Sequence, residues 1–406
     1  MKQIIFHIDV NSAFLSWTAL EQLKEGAEVD LRTIPSIIGG NQASRHGVVL
    51  AKSVPAKKFG IVTGEPVANA LRKCPELTMA PPNHKMYQER SARLMEFLAS
   101  YTPDIEQVSV DECYMDFTGI AYKYPSSVAA AFEIKDAVYE EFGFTVNIGI
   151  SVNHLLAKMA SDFEKPNKVH TLFPEEIPTK MWPLPVSDLY MAGRSSVEVL
   201  HKLEIRTIGE LAKADPKLLE LHLKSHGRTL WEFANGVDSS KVIRERVESK
   251  GIGNSTTLPK DATTEEEAKK VFLMLAETVG SRLRKEGVKA NMVSVEIKYH
   301  TFQTVSHQKQ LLKAANTDKM VYETACELFR ELWNGEPIRL LGIRTSKLVD
   351  ETEPEQMSIF DLQSTMEHQP PKEEKQQKLD KALDQIRKRY GEGAIVRGSL
   401  KTPKKS

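Results

Sequence analysis

Three carboxylates fall where the sequence ends its strands. Residues 3–9 (QIIFHID) read as a buried strand closed by Asp9. Asp111 and Glu112 stand side by side between two short strand patterns, 105–110 and 113–117, a β-hairpin by pattern. Acids brought together repel one another unless cations neutralise them, and hard oxygen ligands select Mg²⁺. Two such ions about 3.5–4 Å apart activate an attacking hydroxyl and stabilise a leaving pyrophosphate in line. Acids in turns are also often simply solvated, and pattern alone leaves both readings standing.

The elements needed to bring these acids together can be read along the first 151 residues. An apolar helix start follows the first strand at 13–20. A strand pattern at 31–38 ends in Gly39-Gly40 and has a partner at 47–51. Helical spacing recurs over 87–100, with Leu94, Phe97 and Leu98 on one face, and over 126–142; a strand pattern covers 145–151. Strand, helix, hairpin, helix, strand is the order of a ferredoxin-like βαββαβ sheet, with 21–75 inserted after the first helix. In such a sheet the end of the first strand and the hairpin tip are neighbours, so positions 9, 111 and 112 converge.

Beyond 171 the texture changes to short helices punctuated by Pro and Gly. A basic connector at 241–250 leads to a second α+β segment, 251–349, with helical patterns at 265–286 and 317–333 and strand patterns at 291–299 and 338–347. After Asp350 a polar, Pro/Glu/Gln-rich composition predicts a flexible tail. Within it Leu379, Ala382, Leu383 and Ile386 have the spacing of one amphipathic helix. The fold class expected is α+β and multidomain, consistent with 406 residues. Lys plus Arg equals Asp plus Glu at 55 each, so any nucleic-acid surface must come from local segregation of charge. Cys74, Cys113 and Cys326 are too dispersed for a zinc or redox motif and read as buried thiols. No stretch approaches the roughly 18 apolar residues of a membrane span, and the opening run is too short for a secretion signal. A cytoplasmic location with no membrane partner is expected.

Three segments carry a family resemblance. Ser109-Val110-Asp111-Glu112-Cys113-Tyr114-Met115-Asp116 resembles the S-V-D-E-x-Y-x-D signature of Y-family DNA polymerases, the DinB/UmuC or DNA polymerase IV type. Residues 8–14 (IDVNSAF) resemble that family's first metal-binding strand, and 149–162 followed by Lys165-Pro166-Asn167 resemble its third motif. The resemblance covers about 1–350 plus a tail peptide. It implies a palm at 1–20 and 76–170, small fingers at 21–75, a helix-hairpin-helix thumb at 171–240, a little finger at 241–350 and a tail at 351–406. It implies a low-fidelity, lesion-bypassing polymerase that extends primer–template DNA with dNTPs on two Mg²⁺ ions, as a monomer.

By the same resemblance Asp9, Asp111 and Glu112 are metal ligands, joined by the main-chain carbonyl of Val10. Phe14 matches the steric gate that leaves no room for a 2′-hydroxyl, and Lys57 and Lys158 correspond to cations that hold the incoming triphosphate. Gly193 and Gly209 fall in the helix-hairpin-helix. Lys289, Lys298, Arg339, Arg344 and Lys347 would line a DNA groove. Gln356-Met357-Ser358-Ile359-Phe360 resembles a peptide that binds the replication sliding clamp. Departures are plain: Asn11 replaces a second acid of many members, and Ser53-Val54-Pro55-Ala56-Lys57 replaces N/S-Y-E-A-R, losing a Tyr and exchanging Arg for Lys. Lysine is a point donor without the bidentate grip of Arg. Val48 and Leu50 fall where the family lines the roof over the nascent base pair. A palm-type nucleotidyl cyclase would use the same acids without a template, and a DNA- or clamp-binding regulator would use none of them.

Overall fold

A computed structural model describes residues 3–40, 47–244, 249–353, 371–395 and 397. The chain forms two compact units, one holding the described residues up to 244 and the other those from 249.

In the first unit β1 (Ile5–Val10) leads into α1 (Ala13–Lys24). After an insertion come α4 (His84–Ala99), β5 (Ile105–Gln107), β6 (Glu112–Asp116), α5 (Ser127–Phe142), β7 (Val146–Ser151), α6 (His154–Asp162) and β8 (Val169–Thr171). The insertion holds β2 (Ser36–Gly39), β3 (Val49–Lys52), the short α2 (Val54–Lys57), α3 (Val67–Lys73) and β4 (Thr78–Ala80). The main sheet has the order β5-β6-β1-β7-β8. β1 is antiparallel to both β6 and β7, while β8 runs parallel to β7. Its first four strands give the expected βαββαβ arrangement; β8 is an added edge.

All six residues of β1 are buried, because the sheet is covered on both faces. Phe6, Ile8 and Val10 join a core with Trp17, Leu94, Leu98, Ile134 and Val138 from α1, α4 and α5. On the other face Ile5 packs with Tyr114 and Ala157 of α6. Helix α6 lies so close to β7 that a Cβ on Gly149 would collide with the backbone of Ala157 and Ser161. Asn153 caps α6 by accepting from Leu156 N, and Ser126 caps α5 by accepting from Ala129 N.

The insertion forms a three-stranded sheet, β3-β2-β4, on a small core of Ile37, Val49, Ile61, Val67 and Leu77. The strand expected over 31–38 begins only at Ser36. Asp30 initiates a turn, its side chain accepting from Arg32 N at 2.8 Å and its carbonyl from Thr33 N at 3.0 Å. Past β8, α7 (Arg194–Lys202), α8 (Ile208–Lys213), α9 (Pro216–Leu223) and α10 (Ser225–Ala234) pack around Leu200, Leu211, Leu219 and Leu230, sharing that core with Leu155, Leu156 and Met159 of α6.

The second unit contains β9 (Gly251–Ala262), α11 (Glu265–Lys285), β10 (Val288–Tyr299), β11 (Thr304–Ala315), α12 (Asp318–Leu332), β12 (Ile338–Asp350) and α13 (Pro371–Tyr390). Its antiparallel sheet runs β11-β10-β12-β9, with Val293, Val295, Ile297, Leu341 and Ile343 turned toward Phe272, Leu275, Val279 and Phe329 of the helices. The two edge strands, β9 and β11, go beyond the strand patterns of the sequence; both are polar and half-solvated.

Helix α13 is present where the apolar spacing predicts one, but it is neither a free tail element nor seated by its apolar stripe. Leu379 is 51% and Ile386 37% exposed, whereas Asp380 is fully buried. The helix docks through charge: Asp384 accepts from Arg284 at 2.6 Å, and Arg387 donates to Glu277 at 2.9 Å. No described helix is long and apolar enough to cross a membrane.

Candidate active site

Strand register sets the first acids. Asp9 and Glu112 are cross-strand partners at the end of the β1–β6 ladder, and Val10 N donates to the Asp111 carbonyl at 3.0 Å. Glu112 therefore opens β6 rather than sitting in the turn. Ser109 shapes that turn: its hydroxyl donates to Asp111 Oδ1 at 2.7 Å and accepts from Glu112 N at 3.1 Å.

Helix α6 crosses the same face and supplies cations. Lys158 Nζ donates to Glu112 Oε1 at 2.7 Å, and Lys165, just beyond the helix, pairs with Asp9 and with Asp162 at 2.8 Å. Burial raises the Asp9 pKa above the ordinary carboxylate value, against the pull of Lys165 and Lys158. For Lys165 burial acts against the charge, yet attraction to Asp9 and hydrogen bonds to Asp162 and Asp9 leave its pKa raised. The pair is thus unequal. Lys165 is held charged by its acids, while burial of Asp9 outweighs the pull of both nearby ammonium groups. Behind Asp9, His7 Nδ1 meets Ser161 Oγ at 2.8 Å, and burial, then Lys158, keeps its imidazole neutral.

Asp9, Val10, Asp111 and Phe14 line one cleft of about 420 Å³ with Leu50, Lys52, Lys57 and Lys165. The turn that carries Phe14 there runs through Ser12, whose φ of 48° is left-handed. The Phe14 ring lies flat on Tyr87, centroids 4.4 Å apart, and edge-on to His84 at 6.0 Å. Asn11, where a second acid stands in many members of the family, is fully engaged: its amide donates to Asn147 at 3.0 Å, and its oxygen accepts from Thr145 and from Asn167 N, each at 2.9 Å. It ties β1 to the segment bearing Lys165 and has no capacity left for an ion.

Among the described residues no three His, Cys, Asp or Glu side chains stand ready as a metal cage. The donor chemistry nevertheless fits a hard divalent ion. Two carboxylates partner ammonium groups, the third takes one hydroxyl hydrogen bond, and all three project from adjoining backbone.

The remaining expected residues are distributed as follows. Lys158 touches Glu112 and does not line the cleft, whereas Lys165, quoted only as part of a motif in the sequence, does. Its signal was a lysine directly before Pro166 at the foot of the α6 motif. Gly193 caps α7, and its N–H donates to the Met191 carbonyl at 2.9 Å. Gly209 N–H donates to Trp182 O at 3.0 Å, and a Cβ there would press on Trp182, so this glycine serves close packing and its amide is occupied. Lys298 and Arg344 share the sheet face turned away from α11 and α12, with Ser294 and Glu296 between them. Arg339 stacks on Phe302 at 4.7 Å, and Lys347 donates to Gln310 at 3.0 Å. The segment Gln356 to Phe360 lies outside the described residues.

Comparison with known proteins identifies the family. The impB/mucB/samB family pattern matches residues 8–162, and the impB/mucB/samB family C-terminal domain matches 249–359. The chain is 47% identical over 400 residues to a DNA polymerase IV of Clostridium acetobutylicum, covering 98% of each. It is 35% identical to a DNA polymerase IV of Alkaliphilus oremlandii, covering 98% of this chain and 99% of that one. A solved Y-family DNA polymerase chimera superposes with a TM-score of 0.74 at 21% identity, over 86% of this chain and 99% of the other, a likeness of fold. The chain belongs to the impB/mucB/samB family, the Y-family of DNA polymerases.

Proposed function

We propose that this chain is a template-directed DNA polymerase that adds dNTPs to a primer 3′ end. The observation that carries the reading is the meeting of Asp9, Asp111 and Glu112 at one sheet end, beside a cleft that also holds Phe14, Lys57 and Lys165. Asp9, Asp111, Glu112 and the Val10 carbonyl would hold Mg²⁺, which when bound supplies charge for the attacking hydroxyl and the leaving pyrophosphate. Phe14, held against Tyr87 and His84, closes the floor under the sugar and excludes a 2′-hydroxyl. Lys57 and Lys165 meet the triphosphate, where positive charge matters most in phosphoryl transfer.

In this reading residues 1–20 and 76–170 act as palm and 21–75 as fingers, except that β4 (Thr78–Ala80) pairs with β2 and goes with the fingers; 171–240 act as thumb and 241–350 as little finger. Lys298 and Arg344 on an open sheet face suit contact with a DNA backbone, which makes binding salt-dependent. A small insertion sheet over the cleft checks base-pair shape poorly, consistent with low fidelity and lesion bypass. The peptide 356–360, tethered to the polymerase, engages the sliding clamp and holds a cytoplasmic monomer at the primer end. Incubation with primer–template, dNTPs and Mg²⁺ tests the central claim: the primer lengthens, and Asp111→Ala lowers the rate on the order of 100-fold or more. A cyclic nucleotide product, binding without extension, or undiminished extension by the variant would overturn it.

A further inference from the structure

Three lysines line the cleft, and a fourth, Lys158, stands beside Glu112 outside it; the four fall into two kinds. Lys158 and Lys165 are each held by carboxylates. Lys52 and Lys57, both lining the cleft, form no ion pair among the described residues. Lys52 is the last residue of β3; Leu50, Ala51 and Lys52 all border the cleft, and the strand's alternation buries Val49 and Ala51 while leaving Leu50 and Lys52 half-exposed. From Leu50 the face therefore runs to Lys52 and then to Lys57 on the next element. The two ammonium groups repel each other: burial, then the charge of Lys57, lowers the pKa of Lys52, and only Glu65 acts in its favour. Lys73, by contrast, neutralises Glu65 directly at 2.7 Å.

A half-buried Lys52 beside the exposed ammonium of Lys57, both facing one cleft, is unfavourable by itself and becomes favourable once a polyanion lies between the two. The local sequence supplies the reason for a second one. Val54 has no phosphate donor, and Lys57 offers one compact charge where a bidentate guanidinium would grip two oxygens. We propose that Lys52 is a nucleotide-binding residue, sharing the terminal phosphates of the incoming nucleoside triphosphate with Lys57 and making up the grip that Val54 and Lys57 do not provide. This rests on the polymerase reading above. Because the contact is made to phosphates present before and after the chemical step, it contributes to ground-state binding and to pyrophosphate retention more than to turnover.

The test compares the full-length wild type with Lys52→Ala and Lys52→Arg in single-nucleotide primer extension. It adds pyrophosphate product inhibition and equilibrium dNTP binding to the complex carrying a chain-terminated primer. For Lys52→Ala the dNTP KM, the dNTP Kd and the pyrophosphate inhibition constant each rise on the order of tenfold. The kcat stays within about twofold, and Lys52→Arg recovers most of the loss. Unchanged KM and Kd in Lys52→Ala, or an Arg variant as weak as the Ala variant, overturns the proposal. A wild type that does not extend primers overturns the polymerase reading instead, so the two failures are distinguishable. Unchanged melting temperature of the variants confirms that this half-exposed side chain was removed without loss of fold.

Discussion

Asp318→Asn tests how the terminal helix is held, and its effect can be worked out in advance. Asp318 opens α12 with 1% of its side chain exposed, facing Arg284 at 2.9 Å and Arg397 at 3.3 Å, while its own N–H donates to Asp380 of α13 at 3.1 Å. Burial, with the charge of Asp380 adding to it, pushes the Asp318 carboxyl from 3.8 up to about 6, against the pull of Arg284 and Arg397. The folded state thus binds this proton more tightly than the unfolded chain does. Stability from the protonated acid is complete below about pH 4 and is lost as pH rises toward 6. A shift of about two units corresponds to about 3 kcal/mol. The asparagine of the variant stays neutral throughout. The difference in unfolding free energy, variant minus wild type, therefore swings by about 3 kcal/mol in the variant's favour between pH 4 and pH 7. Urea-dependent hydrogen exchange, read on peptides from α11 and α12, reports this unit apart from the rest of the chain. A difference that stays flat with pH would show that the site is not a strained buried acid, and the reasoning would fail.

Other expectations concern the reaction. Phe14→Ala removes the ring that Tyr87 supports and raises ribonucleotide incorporation relative to deoxynucleotide on the order of tenfold or more, measured as a ratio of kcat/KM; unchanged sugar discrimination would refute the gate. Deleting 356–360 lowers extension when the sliding clamp is loaded and leaves it unchanged without the clamp. Equal loss in both assays would contradict the tether.

The palm and its acids were legible because their signals are local and redundant. An apolar run ending in Asp9 and a hairpin whose tip carries two acids make a sheet in which those ends must be neighbours, as the Asp9–Glu112 pairing shows. Edge strands β9 and β11 were not legible, since GNSTT is polar and half-exposed, SHQKQ is polar and exposed, and both lack the apolar alternation that marks a half-buried strand. Helix α13 is foreshadowed by Leu379, Ala382, Leu383 and Ile386, but these residues do not mark its docking face. Apolar spacing marks a seat only when the hydrophobic effect dominates, and here Arg284 and Glu277, buried on α11, select Asp380, Asp384 and Arg387 instead. Lys52 was invisible for a similar reason: a lone lysine at a strand end has no pattern, and its meaning comes from the cleft that folding builds around it.

The distribution of cations ties these features together. A sheet covered on both faces gives its central strand a dry end, so Asp9 cannot rely on water for its charge and must be neutralised from α6 and the segment after it. Lysines held by those acids serve a phosphate less well than lysines that hold nothing, because each must first give up a carboxylate. A family member with Val54 and Lys57 in place of a Tyr and an Arg would then be short of hydrogen-bond donors at the triphosphate. The face of β3 that borders the cleft is a place where an extra cation can be added without disturbing the acids, and Lys52 occupies it. On this argument the loss in the 53–57 segment and the gain at position 52 are one change in how the triphosphate is held.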